Sequence, residues 1–412
     1  MDDGDDSVDG EHSGGDTDGD TTRTVELGDA RAAPGELARG WITVADLPTG
    51  APERLPVLIA NGSDPGPTLW LTGGVHGDEA TGVAVVQDAM DRLATVARGD
   101  LAGTVVAVPV VSPAGLRRNA RQTYYAEEDP NRHFPDADAD SARPPKLQAR
   151  IDARLYAAIT GDSVDLSAGS DAGADARIEP AGTGVVADAL IDCHTAGVGS
   201  EPFAIRDRVL YGERRSEREA TALSEELGRL VDAFGFPALR EYPAAEYVEE
   251  SLQRSAAGAV LNEAGIPAVT AELGAHSVVD DRLVEAGVAG IYAVAVEFGL
   301  LAPGDVPAAV GEPSEHLDPA PVDGPLRRFR GPTADVSGLV RHRVAAGEAF
   351  EPGDTLADVV SATGERRGEV TADREGYVLG RTEGLAVYEG DPIGSLAVRD
   401  DGDLVVPRED DA

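Results

Sequence analysis

His76 and Glu79 stand three residues apart in Gly73-Gly-Val-His-Gly-Asp-Glu, and His194 stands in Leu190-Ile-Asp-Cys-His-Thr. Two imidazoles and one carboxylate are the three-ligand set that holds a catalytic zinc and leaves its fourth position open for water. A lone His-x-x-Glu is common and, by itself, reads as two surface residues. The neighbouring glycines Gly73, Gly74 and Gly77 change the balance, since they let backbone approach a ligand closely where a strand turns into a helix. Asp78 is expected to point away, as an outer partner or a helix cap. Asp192 shares a strand face with His194 and is placed to orient an imidazole, whereas Cys193 faces the other way, into the core. These residue types and spacings point to a metal-dependent hydrolase.

Buried strands must deliver these groups. Residues 68–72 form an apolar run just before the first pair, and residues 189–193 form another just before His194. In an open α/β sheet, chemistry gathers beyond the carboxyl ends of the strands, where all three would fall. Further strands are expected at 41–44, 55–60, 104–111 and 268–272. Apolar residues at helical spacing predict helices at 81–97, 146–159, 213–234, 252–264 and 280–300. The alternation of strand and helix predicts an α/β fold, with a mixed, largely parallel sheet covered by helices.

Composition divides the chain. Residues 1–22 have almost nothing to bury and read as a disordered acidic tail. Residues 23–302 read as the catalytic domain, interrupted by an acidic surface insertion at 161–184. Residues 303–325 are rich in proline and acid and read as a linker. Residues 326–407 show short alternating strands with glycine turns, including a Gly-Asp step at Gly353 that recurs at Gly390. This small all-β unit resembles the hammerhead barrel of biotinyl and lipoyl carrier domains. It contains no lysine, so a structural role is favoured over a carrier role.

Charge excludes some partners. Asp and Glu total 75 against 35 Lys and Arg, for a formal net charge of -40, and Lys146 is the only lysine. Such acidity spread over a chain that is still 42% apolar reads as the surface of a folded protein from a salt-loving organism, where counterions screen self-repulsion. That surface repels nucleic acid and anionic membranes. Cys193 is the only cysteine, which rules out an internal disulfide and fits a reducing cytoplasm. No apolar run approaches the ~20 residues that span a bilayer, and the acidic start lacks the features of a signal peptide. A soluble cytoplasmic protein is expected, with self-association left open.

Four segments in order, Gly74-Val-His-Gly-Asp-Glu, Asp129-Pro-Asn-Arg-His-Phe-Pro, Asp192-Cys-His-Thr and Ala271-Glu-Leu-Gly, resemble the succinylglutamate desuccinylase/aspartoacylase family of the zinc carboxypeptidase clan. The resemblance spans roughly residues 56–300. It implies one zinc per chain, bound by His76, Glu79 and His194, with Glu272 as the general base. It also implies that Arg121 polarises the scissile carbonyl while Asn131 and Arg132 clamp a substrate carboxylate. The implied activity is removal of an N-acyl group from a small carboxylate-bearing amine. A carboxypeptidase acting on peptides and a catalytically silent binding protein of the same fold are the alternatives. A β unit that roofed the site would exclude long chains and favour the first.

The residue types suit these roles. Glu272 ends an apolar run, where a carboxyl group is partly desolvated and its pKa raised, though a capping or salt-bridged Glu would look the same. Arg132 offers a planar fork for a carboxylate. Arg117, Arg118 and Arg121 also suit simple charge balance in so acidic a chain. Pro130 replaces the usual Leu of the second motif, and Asp136 a frequent Gly, which puts the loop's geometry in question. His12, His133, His276, His316 and His342 read as surface or loop residues, with His276 near the pocket.

Overall fold

The computed structural model describes residues 23–97, 99–125, 128–135, 146–165 and 177–408. The expected acidic tail, the middle of the acidic insertion and Asp136 lie outside them. Twelve strands form one mixed sheet. Its order is Ala349–Phe350, Gly376–Arg381, Gly394–Arg399, Leu326–Arg330, Ala238–Arg240, Phe203–Arg206, Ala268–Ala275, Ala189–Ala196, Asp64–Gly73, Ala102–Val108, Pro52–Asn61, Glu36–Asp46. The four strands from Ala268–Ala275 to Ala102–Val108 run parallel to one another. They are continuous apolar runs because both faces are covered, as parallel strands require. Antiparallel strands Pro52–Asn61 and Phe203–Arg206 flank them.

Helices Ala80–Val96, Glu217–Phe234 and Asp281–Glu297 pack on this sheet and on one another. Each buries an apolar stripe, and each fully buried Leu, Val or Ile contributes about 1.5–3 kcal/mol. Caps fix where they start. Asp280 accepts hydrogen bonds from the backbone N–H groups of Arg282 and Leu283. Ser216 and Glu219 close a reciprocal capping box, which starts that helix at Glu217, four residues later than its apolar pattern predicts. The helix expected at 252–264 is broken into a 3-10 turn, Leu252–Arg254, a short α segment, Ala256–Ala259, and a π turn, Val260–Ala264. Ser255, capping Gly258 N, imposes the first break. Strands Phe203–Arg206, Val209–Tyr211 and Ala238–Arg240 are too short for periodicity to reveal. Among the described residues no helix is long and apolar enough to cross a membrane.

After the main sheet, residues 303–325 bury Val310 against the same core and make two short 3-10 turns. The strands beyond do not close into the expected barrel. Four of them extend the main sheet through a bridge between Arg240 and Arg327. Gly338–His342, Thr355–Val360, Arg366–Thr371 and Ala386–Val387 form a second sheet. A shared core of Val340, Phe350, Leu356, Val359 and Leu396 lies between the two. The edge that a barrel would seal by closure is covered here by joining the larger sheet.

Candidate metal centre

The strand Asp64–Gly73 ends at a tight turn that carries His76 and Glu79, and the helix Ala80–Val96 follows at once. Gly74 has φ +60°, which favours glycine, and a Cβ on Gly77 would lie 1.9 Å from the backbone carbon of Gly115. Gly77 therefore lets the turn pack against the short helix Pro113–Leu116, and not against a ligand as the spacing of the glycines suggested. On the next strand, Ala189–Ala196, His194 stands in register beside Glu272 of the strand beyond it, Ala268–Ala275.

The three expected ligands converge. His76 Nδ1 lies 2.7 Å from Glu79 Oε1, and His194 Nδ1 lies 2.8 Å from Glu79 Oε2. All three side chains are buried, and they are the one set of three such groups close enough to share an ion among the described residues. The far nitrogen of each imidazole is held by an aspartate. Asp129 Oδ1 is 2.9 Å from His76 Nε2, and Asp192 Oδ2 is 2.7 Å from His194 Nε2. Thr72, in register with Asp192 on the next strand, donates to Asp192 Oδ1 at 2.7 Å. Both rings thus turn Nδ1 toward Glu79, with their orientation set from behind.

Two observations test whether this set suits a divalent metal. Glu79 Oε2 is buried and, despite its closeness to His194, receives no well-directed hydrogen bond. Such an orphaned oxygen fits a ligand role. The charge balance agrees. Burial works against an ionised Glu79, but His76 and then His194 outweigh it and hold its pKa below the usual carboxylate range. Burial likewise works against imidazolium at His194, yet Asp192 and Glu79 raise its pKa well above the ordinary value. His76 is raised in the same way, against its burial, by Glu79 and Asp129. The site stabilises two positive charges, which one divalent cation on two neutral imidazoles would also supply. The residues fit zinc.

Around this centre lies a cavity of about 480 Å³ whose walls include Arg121, Asn131, Arg132, His194 and Glu272. Glu272 is buried, its Oε2 has no hydrogen-bond partner, and burial raises its pKa, with Glu79 adding to the effect against His194. Arg121 reaches Asp129 at 2.8 Å and Glu79 at 3.5 Å. Asn131 is partly committed to structure, because its Oδ1 accepts from Ala256 N at 2.7 Å. Arg132 donates one hydrogen bond to the Asn131 carbonyl and borders the cavity. Asp78 does not support His76. Its carboxylate lies 3.7 Å from His276, and its backbone carbonyl accepts from Ser277 N. Cys193 is fully buried. Asp129 was given no role by the sequence reading, although it lies in a quoted motif two residues before Asn131. Cavity residues Asp207, Glu241 and Arg328 carried no sequence signal, because they meet the site only through the short strands that periodicity misses.

Comparison with known proteins agrees with this arrangement. Residues 65–165 match the model of the succinylglutamate desuccinylase/aspartoacylase catalytic domain. Among solved structures, a succinylglutamate desuccinylase/aspartoacylase from Rhodobacter sphaeroides is 21% identical with a TM-score of 0.64, covering 92% of this chain and 96% of that one. The product-bound ectoine utilization protein from Ruegeria pomeroyi is 20% identical with a TM-score of 0.63, covering 88% and 95%. A succinylglutamate desuccinylase from Silicibacter is 20% identical with a TM-score of 0.61, covering 88% and 94%. A search of curated proteins finds no match. The resemblance read from the four motifs is borne out: residues 65–165 match the succinylglutamate desuccinylase/aspartoacylase catalytic domain, and the fold is similar to that of solved structures bearing that name.

Proposed function

We propose that this protein is a zinc-dependent amidohydrolase that removes an N-acyl group from a small carboxylate-bearing amine. The observation that carries this reading is the meeting, at one cavity, of the His76–Glu79–His194 set with a buried, unpartnered Glu272. The family match adds support, since it is to a catalytic domain named for deacylases. When bound, zinc supplies Lewis acidity and a water acidic enough to attack an amide near neutral pH. Glu272 takes the proton of the attacking water and passes it to the leaving amine. Arg121, fixed by Asp129, faces the negative charge that develops on the carbonyl oxygen. Arg132 binds a carboxylate of the amine product, and Asn131 anchors the loop that carries it.

Part of the cavity wall, Arg328, Arg330, Glu383 and Ser395, comes from beyond residue 325. We assign residues 23–302 as the catalytic domain, 303–325 as a connecting segment and 326–407 as a β region that walls the site. A walled cavity of about 480 Å³ suits a small molecule better than a peptide chain. We place the protein in the cytoplasm of a salt-loving cell on its net charge of -40 and single cysteine. The test is hydrolysis of N-acetyl, N-succinyl and N-formyl amino acids by the zinc-loaded protein in molar salt. Release of free amine from at least one class supports the reading; cleavage of C-terminal residues from peptides alone would replace it with the peptidase reading.

A further inference from the structure

One contact between the catalytic domain and the β region stands at the edge of the catalytic cavity. His276 Nε2 donates to Glu383 Oε1 at 2.5 Å, and both residues border the cavity. His276 is held from behind. It directly follows the strand that carries Glu272, and its Nδ1 lies 2.8 Å from Ser277 Oγ. Ser277 N in turn donates to the Asp78 carbonyl at 2.7 Å. Ser277 has φ +63°, a left-handed conformation that costs a serine energy and persists only where its surroundings impose it. Glu383 is held differently. On one side Thr382 is fixed by hydrogen bonds to the Ile393 and Pro392 carbonyls, and on the other the Leu385 carbonyl accepts from Val340 N. Between these two points, Glu383 and Gly384 make no backbone hydrogen bond among the described residues. Gly384 has φ +75°, and no atom lies within 4 Å of where its Cβ would stand.

Glu383 also borders a second cavity, of about 370 Å³, whose other walls include Val198, His342 and Arg381. Its side chain is therefore a partition with space on both sides. Joining the β region to the main sheet does not require this contact. The Arg240–Arg327 bridge and the Arg208–Asp400 and Arg328–Glu241 pairs already do so. The Glu383 side chain is more than half exposed, and a contact of that kind is weak, which suits a link that must break and re-form. We propose that Glu383 and Gly384, hung between Thr382 and Leu385, form a gate at the cavity, latched shut by the bond to His276. The gate opens when Glu383 swings into the second cavity. Closure keeps bulk water from the reacting groups, and opening sets how fast small molecules enter and leave. This concerns access alone and holds whichever small molecule the site acts on.

The experiment measures that access directly. Cys193 is the only cysteine and is fully buried, so a cysteine placed on the cavity wall can be labelled selectively. Thr270→Cys puts a thiol on that wall, and Ser395→Cys is a second reporter should the first variant fail to fold. Each reporter is made in the full chain with the native gate, with Glu383→Ala and with His276→Ala. Labelling with methyl methanethiosulfonate, which is small and uncharged, is followed in molar salt. Loss of the latch should speed labelling of the reporter about 1.5- to 5-fold, the range set by the strength of an exposed pair. Cys193 should stay unlabelled throughout. A reporter rate unchanged by both substitutions would overturn the gate. A matching rise at Cys193 would overturn it too, since that would show a general loosening of the fold.

Discussion

His194 and Glu272 are paired residue against residue on adjacent parallel strands, Ala189–Ala196 and Ala268–Ala275. A proposed metal ligand and the proposed base are therefore held apart by the hydrogen-bond ladder of the sheet. Neither depends on a loop for its position, which is the kind of support a site needs to keep its geometry through turnover.

The aspartates behind the imidazoles give the first prediction. Asp129→Asn and Asp192→Asn leave every ligand in place but weaken the hold on His76 and His194. Zinc affinity should fall about 10- to 100-fold in each, as for other outer partners of metal-bound histidines. A competition titration with a chelating dye measures this. Unchanged affinity in both variants would mean that the rings need no such support.

Glu272→Gln separates chemistry from metal binding. The amide is close in shape but cannot accept a proton, so zinc content should stay normal while turnover drops about 10²–10⁴-fold. Near-normal turnover would remove Glu272 from the mechanism even with the metal in place.

Asp207 gives a pH signature of stability. Burial, helped by neighbouring Glu241, pushes its pKa up to about 8, whereas an unfolded Asp titrates near about 4. Between those values the folded protein keeps a proton that the unfolded chain has released, so this group's contribution falls as pH rises and levels off above about 8. Asp207→Asn cannot ionise and should gain on the native protein steadily from pH 5 to pH 8. Denaturant unfolding at those two pH values, at fixed salt, checks it; a margin that shrinks with pH contradicts it.

Much of this was legible in the sequence. The helix over 80–96 and the central strands announce themselves because long amphipathic or fully apolar runs have few competing readings. The candidate ligand set was legible because His76 and Glu79 follow one such strand closely and His194 lies near the end of another. Asp129 and Arg328 were hidden for a different reason. They reach the site from an irregular loop and from the short strand that joins the β region to the main sheet, and their partners lie 53 and 87 residues away, at His76 and Glu241. No local pattern records a contact of that range. The β region was read as a closed barrel because its strands and glycine turns were visible, while its pairing with Ala238–Arg240 was not.

The net charge of -40 predicts salt dependence. Raising salt from about 0.1 M to 1 M shortens the screening length from about 10 Å to about 3 Å, which relieves repulsion among surface carboxylates. The melting temperature should rise steeply over this range. A flat melting temperature would rule out the salt-loving reading of the composition.

The central claim is that His76, Glu79 and His194 hold a zinc on which activity depends. Its most direct test is a zinc titration of chelator-stripped protein in molar salt, following bound metal and hydrolysis of one active N-acyl substrate together. Activity should be lost on stripping and return in proportion to zinc, reaching its plateau at about one ion per chain, and His194→Ala should recover neither. Full activity in the stripped protein, or full zinc binding in a His76→Ala, His194→Ala double variant, would contradict the account.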